Sequence, residues 1–124
     1  MKNDRPVNLD LTTIRFPLPA IASILHRISG VSLFLMLPIL LCALQYSLKS
    51  EQSFTQLRTC MATPGCKALI LLMLAPIIYH LFAGIRHLLM DFGIGESLEG
   101  GRRGAFLAIS LAILTLLGIG LYIW

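Results

Sequence analysis

The stretch that decides the fold is ALILLMLAPIIYHLFAGIRHLLMD, residues 68–91. Its first 18 residues, 68–85, carry no Asp, Glu, Lys or Arg, yet His80 lies among them. About 20 apolar residues in a helix cross a hydrocarbon core of roughly 30 Å. A titratable ring at that depth is costly to keep there and by default marks a site. Imidazole is also the commonest metal ligand among the side chains and a frequent haem ligand.

Two further stretches repeat the pattern. Residues 28–48 contain no charged side chain over 21 positions, and residues 105–124 none over 20. The whole chain of 124 residues is 56% hydrophobic and only 13% charged, with a mean hydropathy of +0.82. That balance excludes an ordinary soluble domain. The reading is an all-α integral membrane protein: one domain over 1–124, with three transmembrane helices at about 20–48, 67–91 and 104–124. The first apolar stretch starts too deep and runs too long for a signal peptide, and it lacks a small-residue cleavage site. The chain is therefore expected to be unprocessed.

Basic residues set the orientation. Lys2, Arg5, Arg15 and Arg27 precede or open the first helix, and Arg86, Arg102 and Arg103 flank the second connection. Lys49, Arg58 and Lys67 flank the first. Seven against three places the N-terminus and second loop in the cytoplasm and the C-terminal Trp124 at the far face. The net charge of +4 is this topological bias and needs no nucleic acid.

Residues 1–19 form a polar cytoplasmic arm with Pro6, Pro17 and Pro19. Val7, Leu9, Leu11, Ile14 and Phe16 are interleaved with polar residues, which suits an arm lying on the membrane or under a partner. Pro19 favours a helix start near Leu18; Pro38 is a candidate kink. In the first loop, Phe54, Leu57 and Met61 stand at helical spacing and predict a short interfacial helix, and Thr63, Pro64 and Gly65 read as a turn. The second loop, GIGESLEGGRRG, reads as a flexible connection. No strand precedes it, which excludes a phosphate-binding loop. Cys42 reads as a small apolar filler. Cys60 and Cys66 fall in the non-cytoplasmic loop, where a disulfide across the Pro-Gly turn and a pair of free thiols both remain open.

His80, Ala83, Gly84 and His87 share one helix face at i, i+3, i+4 and i+7. Gly84 and Ala83 remove bulk beside His80, as a flat macrocycle ligated there requires. His87 stands roughly 10 Å along the axis, about the reach from a haem iron to its propionates, and Arg86 adjoins it. Pro76 frees the carbonyl of Leu72, either tilting the ligand ring or merely packing. On the first helix, Ser23, His26 and Arg27 form a cluster at the same interface, with a hydroxyl and a guanidinium fork suited to propionates, a quinone carbonyl, or both. Taken singly, His80 also fits an interhelical hydrogen bond, and Arg27 and Arg86 fit ordinary cytoplasmic-side charges. Their combination favours haem. One deep His supplies one axial ligand, so a partner subunit is expected to supply the other, and the chain alone is not expected to be an enzyme. Absence of an acidic or basic residue at depth weakens a transporter reading.

RPVNLDL (5–11), IRFP (14–17) and SILHRISG (23–30), followed by HLFAGIRHLLMD (80–91), resemble the cytochrome b large membrane-anchor subunits of succinate dehydrogenase, the succinate:quinone oxidoreductase of respiratory complex II. The resemblance extends over all three helices and most closely follows the bacterial form. It implies that His80 is the axial ligand of haem b iron, that Ser23 and Arg27 contribute to the ubiquinone site, and that His26 and His87 lie near the propionates. It also implies a flavoprotein, an iron–sulfur protein and a second three-helix anchor that donates the other haem ligand. The setting would be the bacterial inner membrane, with electrons passing from succinate to ubiquinone in the tricarboxylic acid cycle and respiratory chain. An anchor of a quinol:fumarate reductase and a non-redox membrane scaffold are the alternatives. The Cys60 and Cys66 pair has no counterpart in the family pattern.

Overall fold

The computed structural model describes residues 13–124 and contains four helices in the order α1 (Leu18–Lys49), α2 (Glu51–Met61), α3 (Pro64–Asp91) and α4 (Leu98–Ile123). Among the described residues there is no strand. Three of the helices, α1, α3 and α4, are long and apolar enough to cross a bilayer. At ~1.5 Å per residue, the 32 residues of α1 extend about 48 Å, well beyond a hydrocarbon core of roughly 30 Å. One end or both of α1 therefore reaches into the headgroup region. The RPVNLDL motif and the arm residues Val7, Leu9 and Leu11 lie outside the described residues.

Local chemistry explains each boundary. Pro17 and Pro19 open α1, and the Ala20 and Ile21 amides donate to the Pro17 carbonyl. Ser50 caps α2 by accepting from the Ser53 amide, with Glu51 in the first turn where the helix dipole favours it. Thr63 caps α3 through the Cys66 amide, and Pro64 occupies the first turn, where no amide hydrogen is needed. Pro64 and Gly65, expected in a turn, thus belong to the helix. The short helix expected around Phe54, Leu57 and Met61 is α2.

The larger correction concerns residues 98–104, expected to be a flexible connection. They form the first two turns of α4. Ser97 accepts from the Gly100 amide, Glu99 stands in the first turn, and Arg103 donates to Glu99 one turn on. The glycines that suggested a loop serve close packing instead. A Cβ on Gly101 would approach Pro19 of α1 and Arg86 of α3, and one on Gly104 would stand 3.4 Å from Arg86 Nε. The true connection is residues 92–97. It begins as a Schellman closure: the Gly93 amide donates to the Met90 carbonyl and the Ile94 amide to the Leu89 carbonyl. Gly93 and Gly95 have φ of +79° and +82°, a left-handed backbone that favours glycine.

The antiparallel α3–α4 and α1–α3 pairs form the body of the chain, with α1 and α4 also in contact. Small residues make this possible. On α4, Gly101, Ala105, Ala108 and Ala112 form a buried stripe at i, i+4, i+7 and i+11. Gly120 meets Leu71 at the other end. Such stripes let backbones approach in lipid, where burial of apolar side chains supplies no drive between helices. Cys42, expected as a filler, sits on the exposed side of α1.

Gly100→Ala tests the α3–α4 corner. Ala ordinarily favours a helix over Gly by about 0.5–1 kcal/mol, but here the added methyl meets Gly95 Cα and Ser97 Oγ at 2.9 Å. The substitution is expected to destabilise by about 1–3 kcal/mol, lowering the thermal midpoint of the detergent-solubilised protein. Gly65→Ala, which meets nothing within 4 Å, is expected to leave the midpoint unchanged or raise it.

Candidate functional site

The site is a column of three imidazoles between α1 and α3. His26 of α1 stacks on His80 of α3, with ring centroids 4.1 Å apart and planes 20° from parallel. The His87 ring lies 5.0 Å from that of His26 on the other side, tilted by 39°. His80 and His87 share a face because they are seven residues apart, and α1 approaches that face closely because it is lined by Ala83 and Gly84. Ala83 is buried. A Cβ on Gly84 would stand 3.7 Å from His26 Nε2. The surface that Gly84 and Ala83 clear, expected to be open to a flat macrocycle, is instead where α1 packs, with the His26 ring lying over Gly84.

Two polar groups hold the His80 ring. Its Nδ1 is 3.0 Å from Ser29 Oγ and 3.3 Å from the His26 carbonyl oxygen. Ser29 Oγ donates to that same carbonyl at 2.7 Å. The carbonyl can only accept, and the single Ser29 proton is already directed to it. The arrangement is satisfied when Nδ1 carries the hydrogen and donates. The other ring nitrogen, Nε2, then keeps its lone pair, the form in which a neutral imidazole ligates a metal. Gly30 completes the seat: a Cβ there would lie 3.3 Å from His80 Cε1. Beside it, the Tyr79 hydroxyl donates to the Ala22 carbonyl at 2.8 Å and pins α3 to α1 one turn from the column.

Ser29 and Tyr79 were not singled out from sequence. Ser29 had a signal, since it follows His26 by three residues and so shares its face; its hydroxyl could equally have bonded only its own helix. Tyr79 precedes His80 and gave none. The other expected site residues are grouped more loosely. Ser23 is half-buried one turn before His26, while Arg27 is exposed. Arg86, expected beside His87, turns instead to α4, where it is buried and its Nη2 donates to the Gly101 carbonyl at 3.4 Å. An apolar cleft of about 360 Å³ between α3 and α4, lined by Phe82, Ile85, Arg86, Leu89 and Leu107 among others, lies on the opposite side of α3 from the histidines.

Two buried side-chain nitrogens lack a partner among the described residues, His26 Nε2 and Arg86 Nε. No group of three or more His, Cys, Asp or Glu there is placed to hold a bare metal ion. The column offers imidazole nitrogens held in direction: His80 Nδ1 lies against Ser29 and the His26 carbonyl, and His26 Nε2 has no partner among the described residues.

The family model described as succinate dehydrogenase/fumarate reductase transmembrane subunit matches residues 1–119. The chain is 42% identical to the succinate dehydrogenase cytochrome b556 subunit of Coxiella burnetii over the full length of both. It is 36% identical to the cytochrome b556 subunit of Rickettsia prowazekii across 78% of this chain and 75% of that one. Against the cytochrome b560 subunit of Reclinomonas americana, identity is 32% across 92% of this chain and 83% of that one.

The tautomer is open to measurement. In cofactor-free protein with 15N-labelled histidine, His80 is expected to show a protonated Nδ1 and a bare Nε2. Ser29→Ala removes one of the two acceptors and is expected to raise the Nε2-protonated population. A wild-type spectrum with Nε2 protonated would overturn the assignment.

Proposed function

Because the chain belongs to the succinate dehydrogenase/fumarate reductase transmembrane-subunit family, we propose that it is the cytochrome b membrane anchor of a succinate:ubiquinone oxidoreductase. In this reading it shares a b-type haem with a second membrane-anchor subunit. The observation that carries the reading is the His80 ring, whose Nδ1 is occupied by Ser29 and the His26 carbonyl so that Nε2 is left to ligate.

The residues fit the group. His80 would hold the haem iron. His26 and His87 continue the column from His80, and the buried His26 Nε2 without a partner suits a hydrogen bond to an anionic propionate. Arg27, exposed on α1, supplies fixed positive charge to the same region. Gly84 and Gly30 keep the ring seats free of side-chain bulk. When bound, haem b supplies a one-electron carrier within the membrane.

This chain's part in quinone reduction rests on Ser23 and Arg27. They occupy adjoining faces of α1, one turn apart. The Ser23 hydroxyl is suited to donate to a quinone carbonyl, and the Arg27 guanidinium to stabilise negative charge developing on its oxygen. Succinate oxidation takes place on a flavoprotein partner, and an iron–sulfur partner delivers electrons to the membrane. The chain therefore catalyses no reaction by itself. The distribution of basic residues supports an N-terminus and an α3–α4 connection on the cytoplasmic side of a bacterial inner membrane. The names of the relatives favour this direction over fumarate reduction.

His80→Ala is expected to abolish or shift the b-type band in a reduced-minus-oxidised spectrum of the assembled complex. An unaltered band would remove the central assignment. Ser23→Ala and Arg27→Ala are each expected to slow ubiquinone reduction, on the order of 100-fold for loss of a donor to a developing oxyanion, while succinate oxidation with an artificial acceptor persists. Unchanged quinone kinetics in both variants would refute their role.

A further inference from the structure

We propose that Cys60 and Cys66 form a structural disulfide on the extracytoplasmic face, closing the corner between α2 and α3. The proposal rests on the orientation given above.

The geometry brings the pair together without help from any other element. Cys60 lies in the last turn of α2 and Cys66 in the first turn of α3, and their Sγ atoms are 2.8 Å apart. The side-chain vectors therefore converge, the first requirement for a bridge. The corner between them is held by Thr63. Its hydroxyl donates to the Cys60 carbonyl at 2.7 Å and accepts from the Cys66 amide at 3.4 Å. The Thr63 amide also donates to the Cys60 carbonyl, at 3.0 Å. One residue thus links the backbones of both cysteines and fixes their relative position before any bond forms.

The setting is permissive. Cys60 is exposed and Cys66 partly so, so an exchange partner can reach them. Both lie outside the uncharged stretches, at the end of the molecule opposite Arg86, Arg102 and Arg103. With those arginines in the cytoplasm, the pair faces an oxidising compartment. Cys42, by contrast, lies within α1 at a position facing lipid or a partner, with no cysteine beside it.

The step balances as a thiol–disulfide exchange with an oxidised dithiol protein. One thiolate attacks the partner's disulfide, giving a mixed disulfide and releasing one partner thiol. The second thiolate attacks the bound sulfur, forming the Cys60–Cys66 bond and releasing the other. The pair loses two electrons and two protons, and the partner disulfide takes up both. The product fixes α2 against the start of α3, adding to the link that Tyr46 makes from α1 by donating to Gln56 of α2.

The test uses the full chain in cells quenched with acid, denatured and alkylated with N-ethylmaleimide. The chain has three cysteines. The expected intact mass carries one adduct, on Cys42, without reductant and three after reduction, with a Cys60–Cys66 linked peptide on digestion. Cys60→Ser is expected to carry two adducts without reductant, on Cys42 and Cys66. Three adducts on unreduced wild type would overturn the bond. Orientation is read separately, with a membrane-impermeant maleimide on intact, outer-membrane-permeabilised cells after reduction. Labelling of the pair supports the extracytoplasmic site. Labelling only after rupture of the inner membrane overturns the orientation and, with it, the proposed compartment of oxidation.

Discussion

The structure depends on one constraint: in a hydrocarbon layer each polar group must find its partner within the protein. The column of histidines is where this chain meets that demand most densely. His80 has two ring nitrogens, and α1 satisfies one of them through Ser29 and the His26 carbonyl. The ring cannot turn without breaking both contacts. Elsewhere in α1 the same demand is met more simply, as Ser32 and Ser47 bond back to carbonyls of their own helix. Ser29 also bonds back, and in doing so it orients its oxygen toward His80. A residue that satisfies its own helix thereby holds an imidazole of the next one.

The same logic explains why the chain has so thin a core. Its buried apolar residues are Ala22, Ile78, Ala83, Ala105, Ala108 and Ala112, almost all small. Large side chains such as Phe34, Leu72, Phe106 and Tyr122 point outward. In water this would be an inverted protein. In a bilayer, close backbone approach along small residues holds the helices together, and large side chains meet lipid or neighbouring subunits. The three imidazoles stand in a slight body whose large side chains mostly face outward.

Much of this was legible in the sequence. Charge-free runs gave the three long helices. The spacing of His80, Gly84 and His87 gave one face, but it read as a surface open to a macrocycle, and the His26 ring of α1 lies there instead. What escaped depended on contacts between helices that no periodicity encodes. The glycines at 100, 101 and 104 read as a loop because glycine weakens an isolated helix by about 1 kcal/mol relative to alanine. Here packing against Pro19 and Arg86 and the cap at Ser97 outweigh that cost. Arg86 adjoins His87 in sequence, yet a step of one residue turns a helical side chain by about 100°, enough to send the guanidinium to α4 rather than to the histidines.

That turn divides the labour of α3. One face carries His80, Gly84 and His87 toward α1. The other carries Arg86 toward Gly101 and Gly104 of α4. A buried guanidinium without an ionic partner is expensive, and its Nε finds no acceptor among the described residues. It reaches the Gly101 carbonyl across a surface where α4 lacks side chains; a Cβ at 104 would stand 3.4 Å from Arg86 Nε. Glycine therefore acts twice along α3's neighbours, at Gly30 making room for an imidazole and at Gly104 making room for a guanidinium. In both places the absent side chain lets a polar group of α3 lie against another helix, so polar residues of α3 add to the contacts that small residues make with α1 and α4.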